Sequence, residues 1–232
     1  MKALETVNKN IDFYNEIANN YDAILDDEGS NRHIRNTVKE KFMSLVKTGW
    51  VLDFGGGTGR DLDWLIGNNY RVIFCEPSEG MRQKAINRHQ NDIPDNRLIF
   101  LDDNRVDFTT WQSHPPFSIK TDAIISDFAV INCIGDIELL FKNLSGVIKP
   151  GGHFLALMLQ HDYKKSRLWK VRQFLRSLIS SKPLVLNVNY NNHRQTVYMY
   201  TPKFIKKTSS PYFEIHGAEN LFEFTLFHFV RK

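Results

Sequence analysis

The run Val51-Leu-Asp-Phe-Gly-Gly-Gly-Thr-Gly-Arg60 joins a short apolar segment to a glycine-rich turn. Gly55, Gly57 and Gly59 alternate, which lets the backbone turn sharply and come close to a ligand. The spacing excludes two phosphate cradles. A dinucleotide fingerprint needs glycine where Arg60 stands, and a phosphate loop needs Gly-Lys-Ser/Thr where the chain reads Gly57-Thr-Gly-Arg60. Asp53, two residues before the first glycine, would repel a phosphate and suits a cationic amine. A second acid, Glu76, follows Asp53 by 23 residues at the end of the next apolar run, 71–75. A carboxylate there offers two acceptor oxygens to the two neighbouring hydroxyls of a ribose.

The order Asp53, Gly55, Gly57, Gly59, followed by Gly59-Arg-Asp-Leu and Tyr70-Arg-Val-Ile-Phe-Cys-Glu-Pro-Ser-Glu-Gly-Met81, resembles the class I S-adenosylmethionine (SAM) dependent methyltransferases. The likeness is closest to small-molecule enzymes of the ubiquinone and menaquinone biosynthesis type, and it covers residues 10–160. It implies SAM as cofactor, with Pro77 and Met81 flanking the nucleoside. It also implies an acid after run 97–101 that accepts from the adenine amino group, Asp103 ahead of Asp102. Asp127, after run 122–126, would orient the cofactor ammonium or touch the substrate. Tyr14 and Tyr21 would close over the cofactor from the first helix; packing into the core is the alternative for both.

Methyl transfer from a sulfonium is a direct displacement, so catalysis consists mainly of holding the nucleophile about 3 Å from the methyl carbon and excluding water. An oxygen nucleophile also needs a base. His161 directly follows run 153–160, on the edge where α/β sites open, and is the candidate; a capping or surface role is the alternative. His33 and His193 have weaker claims. No cluster of oxygen ligands for a metal is visible in the sequence.

These residues need a scaffold that brings strand ends together. Apolar periodicity predicts helices over 10–26 and 32–47, then alternating strands and helices: strand 50–54, helix 59–67, strand 71–75, helix 79–89, strands 97–101 and 122–126, helix 136–148 and strand 153–160. Such alternation means a parallel sheet with helices on both faces. Two closing strands, 211–217 and 222–230, imply an antiparallel hairpin at one edge. The fold class is therefore α/β, in agreement with the Rossmann-like, mostly parallel sheet of six or seven strands that the methyltransferase resemblance implies. Between these parts, 161–210 exceeds an ordinary connection and reads as an inserted cap after the fifth strand, with a basic helix 163–181, extended segments 184–200 turning at Asn191-Asn192, and a short helix 202–208. The chain divides into N-terminal helices 1–48, a cofactor-binding core 49–160, the cap, and the hairpin 211–232 within one domain.

Of 232 residues, 42% are apolar, enough for one core. Cys75 and Cys133 cannot build a disulfide framework, and neither a signal peptide nor a run of roughly 20 apolar residues is present, so a cytoplasmic location is expected. The net charge of +4 is uneven. Residues 161–182 carry seven Lys and Arg against Asp162, a net of +6, and the remainder carries −2. That segment is either a solvated helix face or a dock for an anionic substrate, an acidic carrier protein or an anionic lipid surface. Trp169, Phe174, Tyr190, Tyr198, Tyr200 and Phe204 would form an apolar substrate wall or a small core within the cap. The expected activity is methylation of an O, N or C atom of a small, partly apolar molecule. Two alternatives are an RNA or protein methyltransferase using the basic cap and a catalytically silent SAM-binding partner subunit. Ser126-Asp-Phe-Ala lacks the Asn/Asp-Pro-Pro-Tyr/Phe pattern of base amination in DNA, and no RNA-binding module is appended.

Overall fold

The computed structural model describes residues 2–26, 29–92, 96–160, 183–190 and 193–232. The chain enters through helices α1 (Lys2–Ile17), α2 (Tyr21–Asp26) and α3 (Gly29–Leu45). It then alternates: β1 (Trp50–Phe54), α4 (Leu62–Gly67), β2 (Arg71–Cys75), α5 (Glu79–Arg88), β3 (Leu98–Phe100), β4 (Thr121–Ser126), α6 (Ile137–Val147) and β5 (Ile148–Leu159). A hairpin follows, β6 (Leu184–Tyr190) and β7 (His193–Met199), then α7 (Pro202–Ser209) and the closing strands β8 (Phe213–Leu221) and β9 (Phe224–Arg231).

Seven strands form one sheet in the order β3-β2-β1-β4-β5-β9-β8, parallel from β3 to β5 and antiparallel at β5–β9 and β9–β8. β1 lies at the centre, and Val51 and Leu52 are fully buried, as a strand covered on both faces must be. Alternation along the strands divides the core. Val51, Val72 and Phe74 pack with Ile34, Val38 and Phe42 of α3 and with Leu62 and Leu65 of α4. Leu52, Phe54 and Ile73 pack on the other face with Leu140, Phe141 and Leu144 of α6.

Several boundaries differ from the sequence expectation, among them the strand expected over 211–217, which is β8 (Phe213–Leu221). The helix expected over 10–26 is two helices, α1 and α2, because Asn19-Asn20 are weak helix formers and Asn20 N–H turns back to the Ile17 carbonyl. α3 starts at Gly29, three residues before the expected start at 32. α4 starts at Leu62 rather than at residue 59, since Gly59 has φ +78° and cannot open a right-handed helix. β5 begins at Ile148: Lys149-Pro-Gly-Gly152 ends α6 yet runs on as strand, with a register shift opposite Thr121 and Ala123. The basic helix expected over 163–181, with Trp169 and Phe174, and the turn Asn191-Asn192 lie outside the described residues.

The β6–β7 hairpin forms its own two-stranded sheet and is fastened by side-chain amides acting as strand partners. Asn10 of α1 donates to the Thr196 carbonyl (3.0 Å) and to the Cys133 carbonyl (3.1 Å), and accepts from Thr196 N–H (2.8 Å). Asn132, fully buried in a 3₁₀ turn after β4, donates to the Tyr198 carbonyl (2.8 Å) and accepts from Leu159 N–H (2.9 Å). Removing Asn132 leaves both partners unpaired. Asn132→Ala is expected to cost about 2–4 kcal/mol, measured by urea denaturation with an unchanged m-value.

Candidate functional site

The strand order reverses between β1 and β4, and at such a switch point the carboxyl ends of the strands border an open crevice. A cavity of about 350 Å³ occupies it. Its wall includes Tyr14, Tyr21, Asp53, Gly55, Gly57, Glu76, Pro77, Met81, Asp103 and Asp127.

The glycine turn is built against β2. Gly55 N–H bonds the Cys75 carbonyl (2.7 Å), which folds the turn over the strand end where Glu76 stands. Gly57 N–H then donates to Glu76 Oε2 (3.0 Å), and Ser78 N–H to Oε1 (2.7 Å). Gly57 has φ +58°, and a Cβ there would meet only the Tyr21 ring, at 3.8 Å, so a side chain would project into the cavity. Gly59 differs. Its φ is +78°, a Cβ would lie 2.8 Å from Ala85 Cβ, and it is absent from the cavity wall; it lets α5 pack against the turn.

Asp53, Asp61, Glu76 and Asp127 all stand in the crevice wall, with Arg35 beside them. Asp61 is ion-paired to Arg35, whose Nη1 lies 2.6 Å from both its oxygens, and accepts from Trp64 Nε1 (2.9 Å). Asp53 Oδ2 and both oxygens of Asp127 are buried without a hydrogen-bond partner in the protein. Burial, followed by the charges of Asp61, Asp127 and Glu76, pushes the Asp53 carboxyl well above the usual carboxylate range. Burial and Asp61 do the same to Asp127. Glu76 is pushed up to about 7 by burial, against the opposing hydrogen bonds from Ser78 and Gly57. Acids arranged this way are electrostatically incomplete and fit a polar, cationic ligand.

The N-terminal helices cover one side. Asn15 Oδ1 accepts from Ser78 Oγ (2.7 Å) and Gly80 N–H (3.0 Å), while Met81 packs with Phe13, Ile17 and Ala18. Asp22 accepts from Thr58 Oγ1 (2.5 Å) and pairs with Arg88, which holds α2 over the glycine turn. Tyr14 and Tyr21 meet edge to face with ring centres 6.1 Å apart. Tyr14 Oη also accepts from Gln195 Nε2 of β7 (2.6 Å), which approaches Cys133 Sγ at 3.3 Å.

The structure thus brings together Tyr21, Asp53, Gly55, Gly57, Glu76, Pro77, Met81, Asp103 and Asp127, but neither Gly59 nor Asp102. Asp102 is bonded to Arg105 Nε (3.0 Å), whereas Asp103 lies at the edge of the wall and pairs with Arg82; both side chains are exposed. His161 lies outside the described residues. Tyr198, Tyr200 and Phe204 stack on one another and join the main core rather than the cavity wall, so the expected aromatic substrate wall is not made by these three. Arg35, Asp61 and Cys133 are wall residues that sequence reasoning missed. Arg35 sits on a helix legible mainly through its apolar face, and its polar face carried the signal. Among the described residues no group of three or more His, Cys, Asp or Glu is placed to hold a metal, and no helix is long and apolar enough to cross a membrane.

A family model described as a methyltransferase domain matches residues 52–154. Comparison with curated proteins finds no match. Among solved structures, the chain is similar to DhpI in a SAM–HEP complex: 17% identity, 98% of each chain covered, TM-score 0.72. It is also similar to the Burkholderia thailandensis 1,6-didemethyltoxoflavin-N1-methyltransferase bound to its namesake compound and S-adenosylhomocysteine, with 11% identity, 99% of this chain and 90% of that one covered, and a TM-score of 0.70. A SAM-dependent methyltransferase from Clostridium acetobutylicum gives 17% identity, 94% and 98% coverage, and a TM-score of 0.60.

Glu76 generates a test of the site. Its carboxyl titrates at about 7 in the fold against an ordinary 4.5, so the folded ligand-free protein binds the extra proton, and stability is lost as pH rises through that window. Glu76→Gln is therefore expected to raise the ligand-free Tm by about 5 °C at pH 8 and not at pH 4, by calorimetric melting. The same variant is expected to weaken SAM binding at least tenfold.

Proposed function

We propose that this chain is a SAM-dependent methyltransferase that moves the sulfonium methyl group to an O, N or C atom of a small, partly apolar molecule. The observation that carries this reading is the enclosure of the crevice. α1 and α2 lie over the turn, and β7 is bonded to α1 through Asn10 and Gln195, so an acceptor has to enter a cavity of about 350 Å³. That volume suits a small ligand, and the toxoflavin-precursor enzyme shows the same fold acting on one.

In this reading Glu76 accepts the ribose hydroxyls, Gly55 and Gly57 leave room for the ligand beside the backbone, and Asp103 accepts the adenine amino group. Tyr21, Pro77 and Met81 flank the nucleoside. Asp53 and Asp127 face the cationic part. Bound SAM supplies an electrophilic methyl carbon. The protein's work is to align the acceptor with it and keep water out, for which Ile11, Phe54, Val130 and Ile134 provide apolar wall. His161 is the proposed base for an oxygen acceptor, and segment 161–182, with its net charge of +6, is proposed to dock an anionic or carrier-bound acceptor. The proposed setting is the cytoplasm.

The test is incubation of the protein with methyl-labelled SAM and cell extract. Label is expected in small organic-soluble material. Label recovered in RNA or protein would overturn the choice of a small acceptor.

A further inference from the structure

We infer, resting on the SAM-binding reading above and deepening it, that the Tyr14 hydroxyl recognises the methyl acceptor. It donates a hydrogen bond to an uncharged oxygen or nitrogen of that molecule, and Gln195 of β7 holds the hydroxyl in place.

The order of donors and acceptors at one corner of the cavity supports this. Tyr14 and Cys133 line the cavity, and Gln195, outside the wall, contacts both. The Cys133 thiol donates to the Ala129 carbonyl (3.7 Å) of its own turn, so the sulfur turns lone pairs to its other neighbours. The Gln195 amide therefore faces them with its nitrogen, one N–H toward Cys133 Sγ (3.3 Å) and the other to Tyr14 Oη (2.6 Å). With that lone pair of Oη taken, the Tyr14 hydrogen has to point elsewhere. Among the described residues its acceptor is Cys133 Sγ at 3.5 Å, and sulfur is a weak one. Burial pushes the phenol's titration further up, so it remains a donor. A ligand oxygen or nitrogen beside it offers that hydrogen a stronger bond.

The sheet order says which ligand. Strand ends run β3-β2-β1-β4-β5. In the reading above, adenine lies at Asp103 after β3 and the ribose at Glu76 after β2, so the methionine end of the cofactor, with its methyl group, points toward β4. An acceptor then approaches from the β4–β5 side. The turn after β4 lies there: Ala129 N–H bonds the Leu157 carbonyl of β5 (3.0 Å), and Asn132 accepts from Leu159 N–H (2.9 Å). Cys133 ends that turn, and β7 is tied to it through Asn132 and Tyr198. Tyr14 is thus bonded to elements on the β4 side, while the Tyr21 ring faces Gly57 on the cofactor side. The two arginines of the wall are engaged elsewhere, Arg35 by Asp61 and Arg60 by the Asp22 carbonyl. At this corner the acceptor meets an uncharged donor between the apolar side chains of Ile11, Val130 and Ile134.

The unaltered protein gives the first test. Of the chain's two cysteines, Cys75 is 1% exposed and Cys133 is half-buried. Methyl methanethiosulfonate, a small neutral reagent that caps a thiol as a mixed disulfide, is applied at about pH 8.5, where thiols titrate. By peptide mass mapping it is expected to modify Cys133 both without and with saturating S-adenosylhomocysteine, the product of methyl transfer. Protection by S-adenosylhomocysteine sets this corner against the cofactor and overturns the inference. Resistance of Cys133 even in the ligand-free protein shows that no small molecule reaches the hydroxyl, and overturns it too. If S-adenosylhomocysteine does not bind at all, the cofactor reading itself fails.

Initial rates with methyl-labelled SAM and a dilution series of the small-molecule fraction of cell extract give the second test. Tyr14→Phe is expected to raise the half-saturating amount of extract about tenfold and to leave the calorimetric Kd of S-adenosylhomocysteine unchanged. Gln195→Ala is expected to raise it about threefold and to add nothing in the Tyr14→Phe background, because it acts through the hydroxyl. Equal losses in extract saturation and in S-adenosylhomocysteine affinity overturn the role of Tyr14, and additive losses in the double variant overturn that of Gln195. An extract that yields no labelled small product sinks the small-acceptor reading and this inference with it. The thiol measurement stands even if a variant fails to fold.

Discussion

The reversal of strand order between β1 and β4 is the constraint on which the rest of the structure depends. Each parallel crossover carries the chain to a neighbouring strand through a helix on one face, and the reversal sends the later helices to the opposite face. α3 and α4 therefore cover one side of the sheet and α6 the other. Among the described residues, α3, α4 and α6 leave the carboxyl ends of β1 and β4 free, so Asp53, the glycine turn and Asp127 border an opening rather than a packed core. Asp53 is buried among Asp61, Glu76 and Asp127 at this opening, an arrangement that suits a ligand of opposite charge.

Stability and binding oppose each other in this arrangement. Asp53 and Asp127 have buried oxygens without partners, and Glu76 spends two backbone N–H bonds without recovering an ordinary carboxylate titration. Neutral side chains there would stabilise the empty fold and remove the reason for a cation to enter. The offset is the sheet itself, whose central residues Val51, Leu52, Val72 and Ile73 are fully buried.

The cover over the crevice adds polar fastening to the apolar burial of Val197 and Met199 in β7. Asn10, Asn132 and Gln195 tie the β6–β7 hairpin to α1 and to the loop after β4, with Asn10 and Asn132 occupying places that a neighbouring strand's peptide groups would fill. Such bonds fix the position of the hairpin through specific donors and acceptors rather than through burial alone.

The parallel core was legible in the chain because its strands are short apolar runs and the helices between them have clear periodicity; strands 50–54 and 71–75 match the sequence reading residue for residue. Asp53, Glu76 and Asp127 were legible for a related reason, since each stands where an apolar run stops and strand ends are where α/β sites form. Spacing alone could not separate residues that neighbour each other along the chain but face different ways. Asp102 turns to Arg105 while Asp103 pairs with Arg82 at the cavity wall, and Gly59 meets Ala85 while Gly57 meets open space. Nor could it reveal Arg35, which reaches Asp61 across 26 positions, or the tie between Asn10 and Thr196 across 186. Local patterning of apolar and acidic residues determines which strand ends carry the chemistry, because strand formation and burial are decided over a few neighbours. Which carboxylate is paired, which is left bare, and what lies over it depend on contacts between distant segments, and only the tertiary structure decides those.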